Sequence, residues 1–206
     1  MTLGLGLFLA AAYLLGSIPF GFLVGRTRGV DVTKHGSGNI GFSNVLRLLG
    51  PGPASAVLVA DVLKGAIPVY VGRLWLPSLA HSDSALWMLT VAVAPILGHT
   101  FSVFLKFRGG RAVATTLGAL LGMNWLAGLV AMAVWIVVVG LTRYISAASI
   151  AACAAVPVFM ALIGDRLEWT LFWTAIASLI ILRHVPNIRR LLEGTESKIG
   201  QRVSGE

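Results

Sequence analysis

Hydrophobic residues run through this chain in long blocks rather than alternating with polar ones, at residues 3–25, 53–72, 85–105, 145–164 and 169–183. A hydrocarbon core about 30 Å thick needs about 20 apolar residues per helix, so these blocks predict membrane-spanning helices. Residues 112–142 form a sixth apolar stretch, too long for one ordinary span and too short for two upright ones. If it forms two short or tilted helices, the turn between them falls near Gly122-Met123-Asn124.

Charge settles how that stretch is read. Lys and Arg collect in cytoplasmic loops. Of the 16 cations, Arg26, Arg28, Lys34 and Arg47 fall in the first loop, Lys106, Arg108 and Arg111 in another, and Arg143 stands alone. Arg183, Arg189, Arg190, Lys198 and Arg202 fill the tail; Arg73, Arg166 and Lys64 remain. The basic loops share one face only if 112–142 crosses and returns, which predicts an all-α protein of seven transmembrane helices. The N-terminus is then outside and the C-terminus cytoplasmic.

Composition agrees: 57% of residues are hydrophobic, 12% are charged, and the mean hydropathy is +0.87. That excludes an ordinary water-facing globular surface. The first 25 residues lack a basic n-region and a small-residue cleavage site, so they read as a retained helix. Cys153 is the only cysteine, which excludes an intrachain disulfide and a multi-cysteine metal site. The net charge of +8 is explained by topology and anionic headgroups, since no nucleic-acid recognition element accompanies it. One membrane domain over residues 1–206 is expected, with loops near 26–51, 105–112 and 183–206.

Three glycine- or proline-punctuated cationic segments carry the candidate chemistry. In Gly36-Ser37-Gly38-Asn39-Ile40-Gly41 the glycines permit backbone conformations in which successive N–H groups turn inward around an anion. Ser37 and Asn39 add donors, Ser43 or Asn44 could cap a following helix, and Arg47 supplies a charge one turn on. The competing reading is a flexible hinge, and no Walker pattern follows. In Lys106-Phe107-Arg108-Gly109-Gly110-Arg111, backbone donors and guanidinium groups converge on one turn, or the turn is only a positive-inside signal. His184 and Asn187 lie one helical turn apart if the last span continues, although Pro186 argues against a clean helix there, and His184 is an interfacial anchor or a proton and phosphate partner. Ser146 and Ser149, at the start of the sixth span, could add a hydroxyl. Asp61 and Lys64, three apart within a span, read as a structural ion pair, and His99, near the cytoplasmic end of the third span, as packing or as support behind the site rather than a catalytic group.

Six motifs in order carry a resemblance: Gly-Ser-Ile-Pro-Phe-Gly at 16–21, Gly-Ser-Gly-Asn-Ile-Gly at 36–41, Asp-Val-Leu-Lys-Gly at 61–65, Gly-His-Thr-Phe at 98–101, Phe-Arg-Gly-Gly-Arg at 107–111 and His-x-x-Asn-Ile at 184–188. The chain resembles the bacterial acyl-phosphate:glycerol-3-phosphate acyltransferases of the PlsY type over almost its whole length. The resemblance implies acyl transfer from acyl phosphate to the 1-hydroxyl of glycerol 3-phosphate, at the cytoplasmic face of the inner membrane, giving lysophosphatidic acid and phosphate. It implies no cofactor and no metal. It points to Ser37, Arg47, Arg111, Ser149, His184 and Asn187 as site residues, with Gly36, Gly38, Asn39, Gly41, Asn44, Lys106, Arg108, Gly109, Gly110 and Ser146 around the substrates. The family's usual Lys-Gly-Gly-Lys-Gly-Val-Ala-Thr reads here with Arg108, Arg111 and Ala112 in place of both lysines and the third glycine, and Phe42 follows Gly41 where alanine is usual. None of His35, His81, His99 and His184 has an aspartate five positions on, so the His-x4-Asp pair of the thioester-using acyltransferases is missing. A transporter of a phosphate-bearing anion or phospholipid is the alternative, since broken helices can also aim glycines and arginines at phosphate.

Overall fold

The computed structural model describes residues 3–79 and 84–201; His81 and Arg202 lie outside them. All regular structure among these residues is helical. Exposure is inverted relative to a water-soluble fold. Leu7, Leu23, Ile67, Ile136, Val137, Leu141, Val158 and Leu171 present large apolar side chains outward, while Asp61, Lys64, His99 and His184 are buried. That arrangement suits a hydrocarbon solvent, in which polar groups must find partners inside the protein. Five helical runs are long and apolar enough to cross a membrane.

The chain divides into two compact units, residues up to Met123 and residues Asn124–Gln201. In the first unit α1 (Leu3–Ser17) and α2 (Phe20–Thr27) make one apolar run of 25 residues, broken at Ile18-Pro19. A loop leads to the short amphipathic α3 (Phe42–Leu49) and the long α4 (Pro51–Leu79). Val32, Ile40, Val45, Ala54 and Val57 bury a small core between the loop, α3 and the start of α4. Helix α5 (Ser84–Thr100) passes through Pro95, and a 3₁₀ turn at Val103–Leu105 precedes α6 (Val113–Met123).

Small residues let these helices touch at the backbone, the packing that membranes favour. A methyl on Gly65 of α4 would fall on the Thr115 carbonyl of α6, and one on Gly118 of α6 would fall on the Val62 carbonyl of α4. Gly16 of α1 meets Pro95, and Gly98 of α5 meets Tyr13, in the same way.

The second unit begins at Asn124, whose side chain accepts the Ala127 N–H at 3.0 Å and caps α7 (Trp125–Thr142). The break expected near 122–124 is therefore present, but unequal: α6 has 11 residues and α7 has 18. At 1.5 Å per residue α6 rises only about 16 Å. Arg143, in the left-handed conformation, turns the chain into α8 (Ile145–Leu162), and α9 (Leu167–Arg183) packs against it. A bend of 57° at His184 leads into α10 (Val185–Leu192). Pro186 was expected to spoil helix here. It lies instead in the first turn of α10, where a missing N–H costs nothing.

Candidate active site

In the first unit, residues 31–44 form a loop closed on itself. Asp31 accepts the Thr33 N–H at 3.1 Å and the Thr33 hydroxyl at 2.6 Å, and pairs with Arg26 at 3.2 Å. The Thr33 hydroxyl, more than the cations nearby, holds the Asp31 carboxyl below its ordinary value. Asn44 sits fully buried at the centre. Its Oδ1 accepts the Ser37 N–H at 2.8 Å, and its Nδ2 donates to the carbonyls of Val32 at 2.9 Å and His35 at 3.1 Å.

This corrects two sequence expectations. Neither Ser43 nor Asn44 caps α3: Gly41 occupies the N-cap without a side-chain bond, and Asn44 turns back into the loop. Nor are three of the glycine loop's amides open to an anion. Ser37 gives its N–H to Asn44, Gly38 to the His35 carbonyl at 3.1 Å, and Gly41 to Asn39 Oδ1 at 3.2 Å. Gly36 and Gly38 are needed for shape, with φ of +61° and +68°, and a methyl on Gly36 would strike Asn44 Oδ1. Within this hydrogen-bonded frame the Ser37 side chain is half-buried. Arg47, also half-buried, lies in the last turn of α3, three residues beyond Asn44.

The second cationic segment is seated in the same manner. Gly109 donates its N–H to the Thr100 carbonyl at 3.1 Å and Gly110 to the His99 carbonyl at 3.0 Å. The expectation that these two amides point at an anion is therefore corrected as well. Glycine is required because a Cβ on Gly109 would fall onto the His99 and Thr100 carbonyls. The Ser102 hydroxyl donates to the Ser17 carbonyl at 2.6 Å and Tyr13 to the Phe101 carbonyl at 2.7 Å, fastening the segment to α1. Lys106 and Arg108 are exposed, and Arg111 is half-buried. A Cβ on Gly110 would lie 3.1 Å from Asn39 Oδ1, so the two glycine segments meet at that point.

The second unit holds a separate polar cluster. Glu196, 5% exposed, accepts from Asn187 Nδ2 at 2.7 Å and Ser146 Oγ at 2.8 Å through one oxygen, and from Arg190 Nε at 2.7 Å through the other. Burial alone would raise this carboxyl; the bonds from Asn187, Ser146 and Arg190, with the Arg190 charge, outweigh it and hold it below its ordinary value. With Nδ2 so pinned, Asn187 Oδ1 has no partner among the described residues, nor has Arg190 Nη2. His184, 2% exposed, donates from Nδ1 to the Ile180 carbonyl at 2.8 Å. Ser149 accepts from Trp135 Nε1 at 3.3 Å and donates to the Ile145 carbonyl at 2.8 Å.

Sequence reasoning missed Glu196. Its signal was a carboxylate within a basic tail, flanked by Thr195 and Ser197.

The family model described as glycerol-3-phosphate acyltransferase matches residues 6–194. Proteins named glycerol-3-phosphate acyltransferase from Geobacter sulfurreducens and Gloeobacter violaceus are 46% and 47% identical. The first match covers 92% of this chain and 94% of its own, the second 96% of each. Two crystal structures of PlsY (YgiH), an integral membrane glycerol 3-phosphate acyltransferase, are similar over 96% of both chains at 36% identity. The glycerol 3-phosphate form superposes with a TM-score of 0.87 and the lysophosphatidic acid form with 0.84. A transporter has no support in these likenesses, and the chain belongs to the glycerol-3-phosphate acyltransferase family.

Proposed function

We propose that the acyl donor is an acyl phosphate, and that the reaction takes place at the cytoplasmic face of the bacterial inner membrane. Acyl transfer to glycerol 3-phosphate, giving lysophosphatidic acid, is the activity that family membership assigns to the chain. The observation that carries the donor assignment is the concentration of fixed cations around two rigid glycine segments, together with the missing His-x4-Asp pair. An acyl phosphate brings its own activated leaving group. The protein then needs to neutralise phosphate, polarise the acyl carbonyl and hold a hydroxyl nearby.

The 1-hydroxyl oxygen of glycerol 3-phosphate attacks the acyl carbon, and the bond from that carbon to the phosphate oxygen breaks. The bonding pair leaves with inorganic phosphate. The hydroxyl proton passes to His184 Nε2 or to a phosphate oxygen of the substrate. Ser37 donates to the departing phosphate, and Arg47 and Arg111 clamp substrate phosphate groups, with Lys106 and Arg108 adding positive potential. Following the family pattern, Ser149, His184 and Asn187 orient glycerol 3-phosphate. A covalent acyl-serine at Ser37 is not part of this scheme, because no base stands beside its hydroxyl in the loop's hydrogen bonds.

The seven-helix topology with the N-terminus outside is likewise proposed from the loop cations. It counts α1 with α2, then α4, α5, α6, α7, α8 and α9, as spans.

Phosphate release by detergent-purified protein tests the donor, with palmitoyl phosphate and glycerol 3-phosphate supplied together or singly and palmitoyl coenzyme A as the control. Release that needs both substrates, with lysophosphatidic acid formed and nothing from the thioester, is expected. Product from the thioester would overturn the donor assignment. Folded Ser37→Ala and Arg111→Ala proteins with full activity would overturn the site.

A further inference from the structure

Beneath the second cationic segment, the first unit holds a buried polar stack that the reaction scheme leaves unused. Asp61 and Lys64, one turn apart on α4, are each 1% exposed and pair at 2.8 Å. Lys64 Nζ also donates to the Ile18 carbonyl at 2.9 Å and lies 5.5 Å from the centre of the Phe20 ring. The same Asp61 oxygen has His99 Nδ1 at 3.6 Å, with Thr115 Oγ1 at 3.2 Å from that nitrogen.

Ionised groups at membrane depth are costly, and a buried pair is weak evidence for stability, because apolar side chains would fill the same space at lower cost. What this arrangement does supply is a direction. With Nδ1 turned to the carboxylate, the opposite edge of the His99 ring faces the loop. A Cβ on Gly110 would strike His99 Nε2 and lie 3.0 Å from Cδ2, as well as 3.1 Å from Asn39 Oδ1. The backbone of the same residue takes the Gly110 N–H at 3.0 Å. Ring and carbonyl of His99 therefore grip Gly110 from two sides, one residue before Arg111.

We propose that His99, oriented by Asp61 and Thr115, is a positioning residue for acyl transfer, seating Gly110 and thereby the backbone that carries Arg111 against Asn39. The inference rests on the reading that Arg111 binds a substrate phosphate group. A displacement near 1 Å at a clamp can cost about 100-fold in rate, so a residue that touches neither substrate can matter this much.

The test is steady-state kinetics of the full-length detergent-purified protein as His99→Ala, Arg111→Ala and the double variant, with thermal unfolding of each. His99→Ala should lower kcat/KM by about 10-fold to 100-fold, mainly by raising the KM of whichever substrate Arg111→Ala affects. The double variant should be no slower than Arg111→Ala alone, since His99 acts through that residue. His99→Asn, whose amide nitrogen reaches the place of Nδ1, should recover part of the loss. Thr115→Val should raise the same KM several-fold with an unchanged unfolding midpoint, and Thr115→Ser should restore it. Multiplying effects in the double variant, or wild-type kinetics in folded His99→Ala, would overturn the positioning role. If His99→Ala does not fold, wild-type KM values in Thr115→Val overturn it instead. Wild-type activity in Arg111→Ala would remove the underlying phosphate-binding reading, an outcome distinct from either.

Discussion

The backbone N–H of Ser37 donates to Oδ1 of Asn44 at 2.8 Å, so the residue assigned to the leaving phosphate is held by a side chain seven positions away. Asn44 uses its amide nitrogen on Val32 and His35 as well, and Asn44→Ala would orphan the Ser37 N–H and the Val32 carbonyl and leave the His35 carbonyl with the Gly38 N–H alone. Unmet buried polar groups cost about 1–3 kcal/mol each, and water reaching the loop offsets part of that, so a loss of about 2–4 kcal/mol is expected. Ser37→Ala removes only a half-buried hydroxyl and should stay within about 0.5 kcal/mol of the parent while losing about 100-fold in turnover. Thermal unfolding alongside acyl transfer separates the two: frame damage in the first variant, lost chemistry in the second.

Ala112 is buried and adopts a φ of +62°, at the position where the resembled family usually has glycine. Left-handed backbone costs a non-glycine residue about 1–2 kcal/mol. Ala112→Gly relieves that, but loses a buried methyl of about 0.8 kcal/mol and gains unfolded-chain freedom of about 0.4–1 kcal/mol. The terms cancel, so the variant should match the parent within about 1 kcal/mol and remain active. Ala112→Val adds β-branching in a conformation that such residues avoid, and should lose at least about 2 kcal/mol. Equal unfolding midpoints for the two would refute the strain assignment.

Gly65 and Gly118 let α4 and α6 meet at the backbone. A methyl at either would land on a carbonyl oxygen of the partner helix rather than on a movable side chain. Gly65→Ala and Gly118→Ala should each lose about 1–3 kcal/mol as the helices separate. Gly140 of α7 has nothing within 4 Å of where its Cβ would be, so Gly140→Ala should gain up to about 1 kcal/mol from helix propensity. Detergent unfolding of the three distinguishes close packing from propensity, because propensity alone predicts that all three gain.

The apolar blocks gave away the helices, and the isolated Arg143 argued correctly for a break near Asn124, because solvation by lipid leaves its mark on composition. The Asp61–Lys64 pair was legible from its spacing of three on one helix. The state of the glycine amides was not. Glycine tells that a tight conformation is permitted, but the Gly109 and Gly110 N–H groups are taken by the carbonyls of Thr100 and His99, and the Ser37 N–H by the side chain of Asn44, which no local pattern names. Asn44 likewise satisfied the rule for a helix cap and was drawn instead to the loop's inner carbonyls. Pro186 misled in the opposite sense, since its effect depends on whether a helix begins or continues there. His99 was expected to pack or to support the site from behind, and its grip on Gly110 became visible once the fold had joined α5 to the loop.

Glu196 should make the second unit sensitive to acid. It is the common acceptor for Asn187, Ser146 and Arg190, and its carboxyl is held below the ordinary value in the folded protein. A group whose folded value is depressed binds protons more readily when unfolded, so its contribution is complete above the unfolded glutamate value of about 4.3 and fades as pH falls through the lower folded value. The contribution should therefore be constant through neutrality and decline only in strong acid. Glu196→Gln keeps one acceptor oxygen but sets an amide N–H against donors and discards the charge that faces Arg190. The variant should lose about 1–3 kcal/mol at pH 7, and the gap to the parent should narrow below about pH 4 as the parent's own carboxylate is protonated. The tail is also tied by the Ile199 N–H to the Arg143 carbonyl at 2.8 Å and by Arg143 Nη2 to the Ile199 carbonyl at 3.0 Å, so it should stay docked at neutral pH even in the variant. Unfolding midpoints of parent and variant between pH 3 and pH 8 provide the check. A gap that stays constant down to pH 3 would mean that the cluster works through shape alone, with no contribution from the ionised carboxylate.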